Sequence, residues 1–252
     1  MSLRFVDLSD TLANGKCESL PYEITYLDHT QGAIQAATHF GLVPTDFPEA
    51  QAWSVEMVNL CTHSGTHVDA PYHFGPESGG KPARTVDEIP LEGCFSDGVV
   101  LDFSDREPGY LITVDDVKEA LKKINYRVKP LDIVLIRTDV WKKFGQRGYQ
   151  NEHPGMSEEA TLWLVDQGVK MMGIDAWGWD RPFHVMAEEY RQGVKGKLWA
   201  GHFAGKIKEY CHIEKLSNHD RLPSFGFKVA CFPVKIRAAS AAWVRVVAIL
   251  ED

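Results

Sequence analysis

The sequence predicts an α/β fold built as a single domain, and three observations support this. Short apolar runs rich in β-branched residues alternate along the chain with segments of helical periodicity, as in sheets covered by helices. No low-complexity linker divides the 252 residues, and a chain of this length can bury one large core. Hydrophobic residues make up 44% of the chain and charged residues 25%, which is ordinary for a globular protein. We therefore expect one domain over residues 1–252.

Seven runs are predicted to form strands, because they are short, apolar and β-branched or alternate between apolar and polar residues. Asn14-Gly15 is a predicted turn after the first of them. Residues 75–82, rich in Gly, Pro and Ser, are predicted to form a loop. The predicted strands are residues 5–8, 53–62, 98–102, 133–136, 170–174, 228–233 and 243–250. The second leads directly into a histidine-rich stretch, and the last two close the sheet.

Three segments are predicted to form helices. Asp28 can cap the first, and Thr113 opens the second as part of a capping box. Gly41 and Gly168 lie just beyond the first and third segments, where glycine favours a C-terminal stop. The segments are residues 28–40, the stretch that follows the capping box at 113–116, and residues 157–166. Their apolar stripes are expected to pack on a sheet.

The most informative stretch holds three imidazoles and a carboxylate within eleven residues. These groups belong to His63, His67, Asp69 and His73, and each can bind a divalent metal or move a proton. A single histidine is more often a hydrogen-bonded core or surface residue. Four such groups around a glycine favour a functional site over a purely structural role.

The backbone of this stretch is predicted to be extended, because a glycine, two β-branched residues and a proline all disfavour a helix. In a strand His67 and Asp69 project to the same side, since side chains repeat every two residues. A turn at Gly65 would let His63 reach the same point. These three side chains would form half of a coordination shell typical of zinc, manganese or iron. His73 is expected to face the same cavity from another angle, as a general base.

From His63 to His73 the sequence reads H-x-G-T-H-x-D-x-P-x-H. This pattern resembles the signature of the cyclase family of metal-dependent hydrolases, which includes bacterial kynurenine formamidase and isatin hydrolase. The resemblance implies a cyclase-like mixed β-sheet core flanked by helices, a small-molecule amide or lactone substrate, and a homo-oligomer, either a dimer or a tetramer. Kynurenine formamidases carry a tryptophan-containing substrate segment near the N-terminus, and this chain has no clear counterpart.

A complete coordination sphere needs further ligands from distant residues. The resemblance implies a histidine and, twelve residues later, a glutamate in an E-x-L-x-N setting, and His202 and Glu214 stand at that spacing. It thereby implies two ions, Zn²⁺ or Mn²⁺, with Asp69 bridging them, whereas family members without the glutamate bind one. His212 lies nearer to Glu214 and is the alternative to His202. Both metals suit mixed nitrogen and oxygen ligands.

Two aromatic residues after a predicted strand, Trp177 and Phe183, have two interpretations. They could line a substrate pocket, or they could be ordinary core residues. The sequence leaves both open.

The chemistry expected of such a site is hydrolysis by a metal-activated water, with His73 moving the proton. The first candidate activity is that of an arylformamidase cleaving the C–N bond of N-formylkynurenine or a similar amide. The alternative is an isatin hydrolase or another lactone or cyclic-amide hydrolase, which the additional length around residues 140–195 favours. A non-haem iron oxygenase and a non-catalytic metal-binding module are further alternatives. No G-x-S-x-G motif surrounds Ser64, which disfavours a serine hydrolase.

Composition excludes several other classes. A formal net charge of -8 gives no support to nucleic-acid binding, which usually shows a basic patch. No run approaches the roughly 18 apolar residues of a membrane span, and the first residues lack the apolar run of a signal peptide. The cysteines are scattered, odd in number and free of C-x-x-C pairs, as expected in a reducing cytoplasm. They are Cys17, Cys61, Cys94, Cys211 and Cys231.

Overall fold

The computed structural model describes residues 2–14 and 23–251. Cys17 and the glycine of the predicted Asn14-Gly15 turn lie outside these residues. The strands are β1 (Leu3–Asp7), β2 (Glu23–Leu27), β3 (Val55–Asn59), β4 (His67–Asp69), β5 (Glu77–Ser78), β6 (Lys81–Pro82), β7 (Phe95–Asp102), β8 (Leu111–Ile112), β9 (Ile133–Arg137), β10 (Gly155–Met156), β11 (Met171–Ile174), β12 (Cys211–Glu214), β13 (Phe225–Ala230), β14 (Ala241–Trp243) and β15 (Val247–Glu251). The α-helices are α1 (His29–Phe40), α2 (Pro71–Phe74), α3 (Val114–Lys123), α4 (Glu158–Asp166), α5 (Phe183–Arg191) and α6 (Ala200–Ile207).

Nine strands form one mixed sheet in the order β1-β15-β13-β7-β9-β11-β12-β4-β14. Its centre, from β7 through β9 and β11 to β12, is parallel. The flanking strands on both sides pair antiparallel. Parallel strands are normally buried on both faces, and β9 and β11 consist almost wholly of buried residues. The predicted α/β class, a mixed sheet flanked by helices in a single domain, is confirmed.

Each face of the sheet carries its own apolar core. Helices α3, α4 and α6 cover one face, where Val117, Leu164 and Ala204 pack against Val134 and other strand residues. On the opposite face, residues from both ends of the sheet, such as Val6 of β1 and Val68 of β4, join a single cluster with Ile133 and Leu135 of the central strands. The sheet is therefore curled, and the inside of the curl is filled by strand side chains.

All three predicted helices are present. The Asp28 side chain accepts the backbone N–H of Gln31 at the start of α1, and Gly41 ends it in the left-handed conformation. Thr113 accepts the N–H of Asp116 in the predicted capping box of α3. Gly168, at φ +92°, follows α4 closely. Local capping chemistry was sufficient to place these elements.

The prediction of one strand over residues 243–250 is wrong. β14 pairs with β4 at one edge of the sheet, whereas β15 pairs with β13 and β1 near the other. The chain crosses between them through Val244 and Val246, which hydrogen-bond to Thr66 and Leu8 respectively. The curl brings the two edges close enough for three residues, Val244, Arg245 and Val246, to cross, and their alternation of apolar and polar residues resembles that of a continuous strand.

Two other predictions need correction. Residues 53–62 contain a strand, but β3 is shorter, exposed, and paired only with β2 in a separate hairpin. It does not run directly into the histidine-rich stretch, because turns and bends intervene. The predicted loop at residues 75–82 contains the small hairpin of β5 and β6. Among the described residues, no helix has the length and apolarity needed to cross a bilayer.

Candidate metal centre

Strands β4 and β12 bring together, on one face of the sheet, four side chains that could bind a metal. Their antiparallel register places Asp69 opposite His212 and His67 opposite Glu214. Residues directly opposite in an antiparallel pair lie with Cβ atoms about 4.5–5.5 Å apart and point to the same side. All four are buried. His67 Nε2 lies 3.3 Å from Asp69 Oδ1 and 3.7 Å from Glu214 Oε2.

The turn before β4 adds a further imidazole. Gly65 has φ +60°, a left-handed conformation that glycine adopts without strain. His63 thereby reaches the strand, with Nδ1 2.9 Å from Asp69 Oδ1. The other ring nitrogen of His63 lies 3.1 Å from the Ser240 hydroxyl, and His67 Nδ1 lies 2.8 Å from the carbonyl oxygen of Gly65. The predicted turn at Gly65 and the extended backbone at His67 and Asp69 are confirmed.

His73 lies on a short helix, so the prediction of extended backbone fails at that end of the stretch. Pro71 begins α2, a position where its fixed φ favours a helix and its missing N–H costs nothing. The helix directs His73 Nε2 to 4.0 Å from Asp69 Oδ2. The His73 side chain remains 24% exposed, and it approaches the carboxylate from a different direction than His63, as expected.

His202 enters the cluster from α6 and is held by a carboxylate that sequence reasoning missed. Asp180 accepts the backbone N–H groups of Gly201 and His202 at 2.7 and 2.9 Å, and its Oδ2 lies 2.5 Å from His202 Nδ1. His202 Nε2 is thereby left to face Glu214 Oε1 at 3.4 Å and Asp69 Oδ2 at 3.9 Å. The ring also stacks on the indole of Trp199, with centroids 4.3 Å apart.

In both Asp69 and Glu214, the two carboxylate oxygens face different imidazoles. Asp69 Oδ1 faces the turn and β4, and Oδ2 faces α2, α6 and β12. Glu214 repeats the division, with Oε2 toward His67 and Oε1 toward His202 and the strand neighbour His212. The ligand atoms of Asp69, His202, His212 and Glu214 all lie within 4.8 Å of one another, as do those of His63, Asp69 and His73. His202 and His212 are therefore both members of the cluster rather than alternatives.

Buried polar atoms at the centre fit a cation. Within residues 2–14 and 23–251, His67 Nε2 and both Asp69 oxygens are buried without a hydrogen bond of regular geometry. Such unsatisfied groups are costly unless something polar or charged pairs with them. Imidazole and carboxylate donors are those preferred by zinc and manganese. The residues present therefore suit a divalent metal.

The pKa shifts in the cluster also favour binding of a cation. Burial raises the pKa of Asp69, but attraction to His67 and the other imidazoles outweighs it and holds the pKa well below its usual value. Glu214 is lowered in the same manner by His202 and its neighbours. Burial lowers the pKa of His202, but Asp180 and Glu214 together raise it to about 10. The carboxylates thus remain ionised, and positive charge is drawn into the cluster.

A cavity of about 230 Å³ opens beside these groups. Trp177 and Phe183, whose rings meet edge to face at 5.6 Å, line it together with Trp199. Phe183 is 54% exposed, so it is not an ordinary core residue. Both predicted aromatic residues therefore lie on the cavity wall, and their role in substrate binding stays a prediction. Sequence reasoning missed Trp199, which no local pattern connects with the histidine stretch.

The fold and the cluster define an α/β protein with a buried histidine–carboxylate centre suited to divalent cations and open to a small aromatic-lined cavity. A family model described as "Putative cyclase" matches residues 6–181. The chain therefore belongs to the cyclase family, and the family resemblance seen in the sequence is confirmed.

The chain is similar to two proteins that are named as enzymes. It is 29% identical to a kynurenine formamidase of Erythrobacter litoralis over 140 residues, and this aligned region covers 55% of this chain and 57% of that protein. It is 25% identical over 209 residues to an isatin hydrolase of Roseibium aggregatum, covering 76% of this chain and 73% of that protein. The crystal structure of an isatin hydrolase bound to the product analogue thioisatinate superposes with a TM-score of 0.78 at 20% identity, over 99% of this chain and 93% of that one. At that identity the likeness shows the fold.

Proposed function

We propose that this chain is a metal-dependent hydrolase that cleaves a C–N amide bond, with the arylformamidase type as first candidate. The observation that carries the proposal is the Asp69 carboxylate, buried without a regular hydrogen bond among the described residues and surrounded by imidazoles. It lies beside a cavity large enough for a small molecule. The family relatives, named as a kynurenine formamidase and an isatin hydrolase, support hydrolysis over the oxygenase and non-catalytic alternatives.

The proposed ligands fall into two groups that share Asp69. His63, His67 and Asp69 Oδ1 would hold one ion, Zn²⁺ or Mn²⁺, and His202, Glu214 and Asp69 Oδ2 the other. The two Asp69 oxygens face different imidazoles, which supports a bridging role. A dication bound here would lower the pKa of a coordinated water from about 15.7 toward about 7 and polarise the substrate carbonyl.

His73 is proposed as the general base. Like His63 it is a partly exposed imidazole on the cavity wall, and it lies between His63, with ring centroids 4.2 Å apart, and Trp199 at 5.1 Å. Burial lowers its pKa to about 4, so the ring is neutral at pH 7 and able to accept a proton. It would take the proton of the attacking water and return it to the leaving nitrogen.

Trp177 and Phe183 are proposed to bind the substrate. Their rings form part of an apolar wall of the cavity, which suits the flat aryl group of N-formylkynurenine or a similar amide. A cyclic amide such as isatin, or a lactone, is the second candidate, supported by the likeness in fold to an isatin hydrolase over 99% of this chain. A homo-oligomer and a cytoplasmic location stay predictions.

The test is metal analysis followed by parallel assays. We expect about two zinc or manganese ions per chain, and turnover that disappears with a chelator and returns on reloading. N-formylkynurenine, isatin and a dienelactone are compared under nitrogen, because anaerobic turnover excludes an oxygenase. Asp69→Asn should lose both ions and activity, whereas Asp116→Asn, in the capping box of α3, should keep both. The proposal would be contradicted if the chain, incubated with excess Zn²⁺ or Mn²⁺, bound no ion in this cluster. It would also be contradicted if a chelator left turnover unchanged.

A further inference from the structure

The pairing of β4 with β12 places His212 at the centre of the cluster by backbone geometry alone. His212 is directly opposite Asp69 in the register, and its alternate neighbour Glu214 is opposite His67. Side chains of such a two-by-two set share one face of the sheet. His212 therefore lies in the same group of four side chains as Asp69, His67 and Glu214. Beyond the histidine-rich stretch, the family pattern includes only a histidine at position 202 and the glutamate.

The ring of His212 is oriented toward two carboxylates at once. Its Nε2 lies 3.0 Å from Asp69 Oδ2 and 3.3 Å from Glu214 Oε1. Its Nδ1 lies 3.3 Å from the hydroxyl of Tyr210. A metal-binding histidine usually donates its other ring N–H to an oxygen acceptor, which fixes the tautomer, and the Tyr210 hydroxyl oxygen can serve as that acceptor here. One nitrogen is thus held from behind, and the other points into the cluster.

Two aromatic rings pack against the imidazole of His212. Trp179 stacks on one side with centroids 5.2 Å apart and an interplanar angle of 13°. Phe74 stacks with the ring at 5.2 Å and 28°. His212 is fully buried, so its position is set by packing and not by solvent. Such a rigid, preoriented nitrogen is what a metal ligand requires.

A purely structural histidine is the competing interpretation, in which Nε2 serves only to neutralise Asp69. That role would need one carboxylate oxygen. Here Nε2 is shared between two carboxylates, and His202 Nε2 faces the same two oxygens from the opposite element, at 3.9 and 3.4 Å. Two nitrogens and two oxygens thus surround one point, with all ligand atoms within 4.8 Å of one another.

We propose that His212 is a direct ligand of the second metal position, together with His202, Glu214 and Asp69. The inference rests on the proposed function, because it presupposes that the cluster binds metal. It adds a second imidazole to a position that would otherwise have one. This position would then have two nitrogen and two carboxylate donors, a complete set for zinc.

The experiment counts ions by native mass spectrometry and measures their affinity by titrating the metal-free chain with Zn²⁺. The variants are His212→Asn and, as a matched control, His219→Asn. His219 is also buried, 3.8 Å from the carboxylate of Asp175, outside the cluster. We expect two ions in the wild type and the control. In His212→Asn the second ion should bind more than about 100-fold more weakly, since losing a group that merely orients a ligand already costs about 10–100-fold.

Each outcome decides between the interpretations. Equal stoichiometry and affinity in the wild type and His212→Asn would identify His212 as a core residue, while the proposed function stands. A wild-type chain that binds no Zn²⁺ would refute the proposed function and this inference with it. If circular dichroism shows that the Asn variant is unfolded, His212→Phe preserves the stacking and removes the nitrogen. In the Co²⁺-loaded wild type, a hyperfine-shifted His212 ring signal is expected, and an unshifted one would overturn the assignment whether or not the variants fold.

Discussion

Replacing Asp180 with asparagine tests whether this carboxylate positions His202. Asp180 accepts two backbone N–H groups at the start of α6 and lies 2.5 Å from His202 Nδ1. An asparagine cannot satisfy all three donors, which use both carboxylate oxygens, since its NH2 group donates and only its carbonyl oxygen accepts. We expect zinc affinity to fall about 10–100-fold, as for other groups that orient metal-binding histidines. The free energy of unfolding should fall by about 1.5–3 kcal/mol, the usual contribution of hydrogen bonds to a charged group.

Affinity is measured by competition with a chromophoric chelator, and stability by urea unfolding of the metal-free chain. Asp116→Asn is the matched control, because Asp116 likewise supports a helix start, accepting the N–H of Thr113 at 2.9 Å and the Tyr110 hydroxyl at 3.0 Å. The control should lose stability and keep its zinc affinity. If both variants lose stability alike and neither loses affinity, Asp180 only anchors α6, and the positioning role is refuted.

Three further predictions follow from single residues. His73→Ala should retain both ions and lose turnover by about 10²–10⁴-fold, the usual contribution of a general base; metal counting with steady-state kinetics checks this, and loss of ions instead would make His73 a ligand. Gly65→Ala should lower the free energy of unfolding by about 1–3 kcal/mol, because φ is +60° and the new Cβ would lie 2.5 Å from Leu12 Cδ2. Urea unfolding measures this, and unchanged stability would show that the turn relaxes. Burial raises the pKa of Asp175 to about 7, so its protonated form contributes stability that is complete below about pH 4 and is lost as the pH rises through 7. Carboxyl ¹³C NMR should show one aspartate titrating near pH 7 that is missing in Asp175→Asn, and a wild-type spectrum without such a signal would contradict this.

Local sequence chemistry was sufficient for the elements whose ends are fixed by their own residues. Asp28, Gly41 and Thr113 cap helices through contacts within a few residues, so the pattern and the structure agree. β12 was missed because its short, polar sequence, Cys-His-Ile-Glu, does not look like a strand. It is stabilised by pairing with β11 and β4, which are distant in sequence. Pairing of this kind is a property of the tertiary fold and leaves little local signal.

The candidate site divides in the same way. His63, His67, Asp69 and His73 fall within eleven residues, so their spacing in the sequence was enough to predict that they form one site. Asp180 acts on a histidine 22 residues away, and the distance between them in space depends on how α6 packs. From the sequence, His212 and His202 were alternative ligands. The sequence does not show that a strand carries one and a helix the other, and that the fold brings both to the same cluster.

The buried charges explain why the cluster is built from so many imidazoles. Asp69 and Glu214 lie close together and are both buried, an arrangement that is costly unless positive charge compensates it. The raised pKa of His202 indicates that this imidazole carries a proton, and with it part of the compensating charge, when no metal is bound. A dication binds this imidazole only after that proton leaves. Protonated His202 therefore stabilises the two carboxylates when no metal is bound, and a bound dication would take over that role.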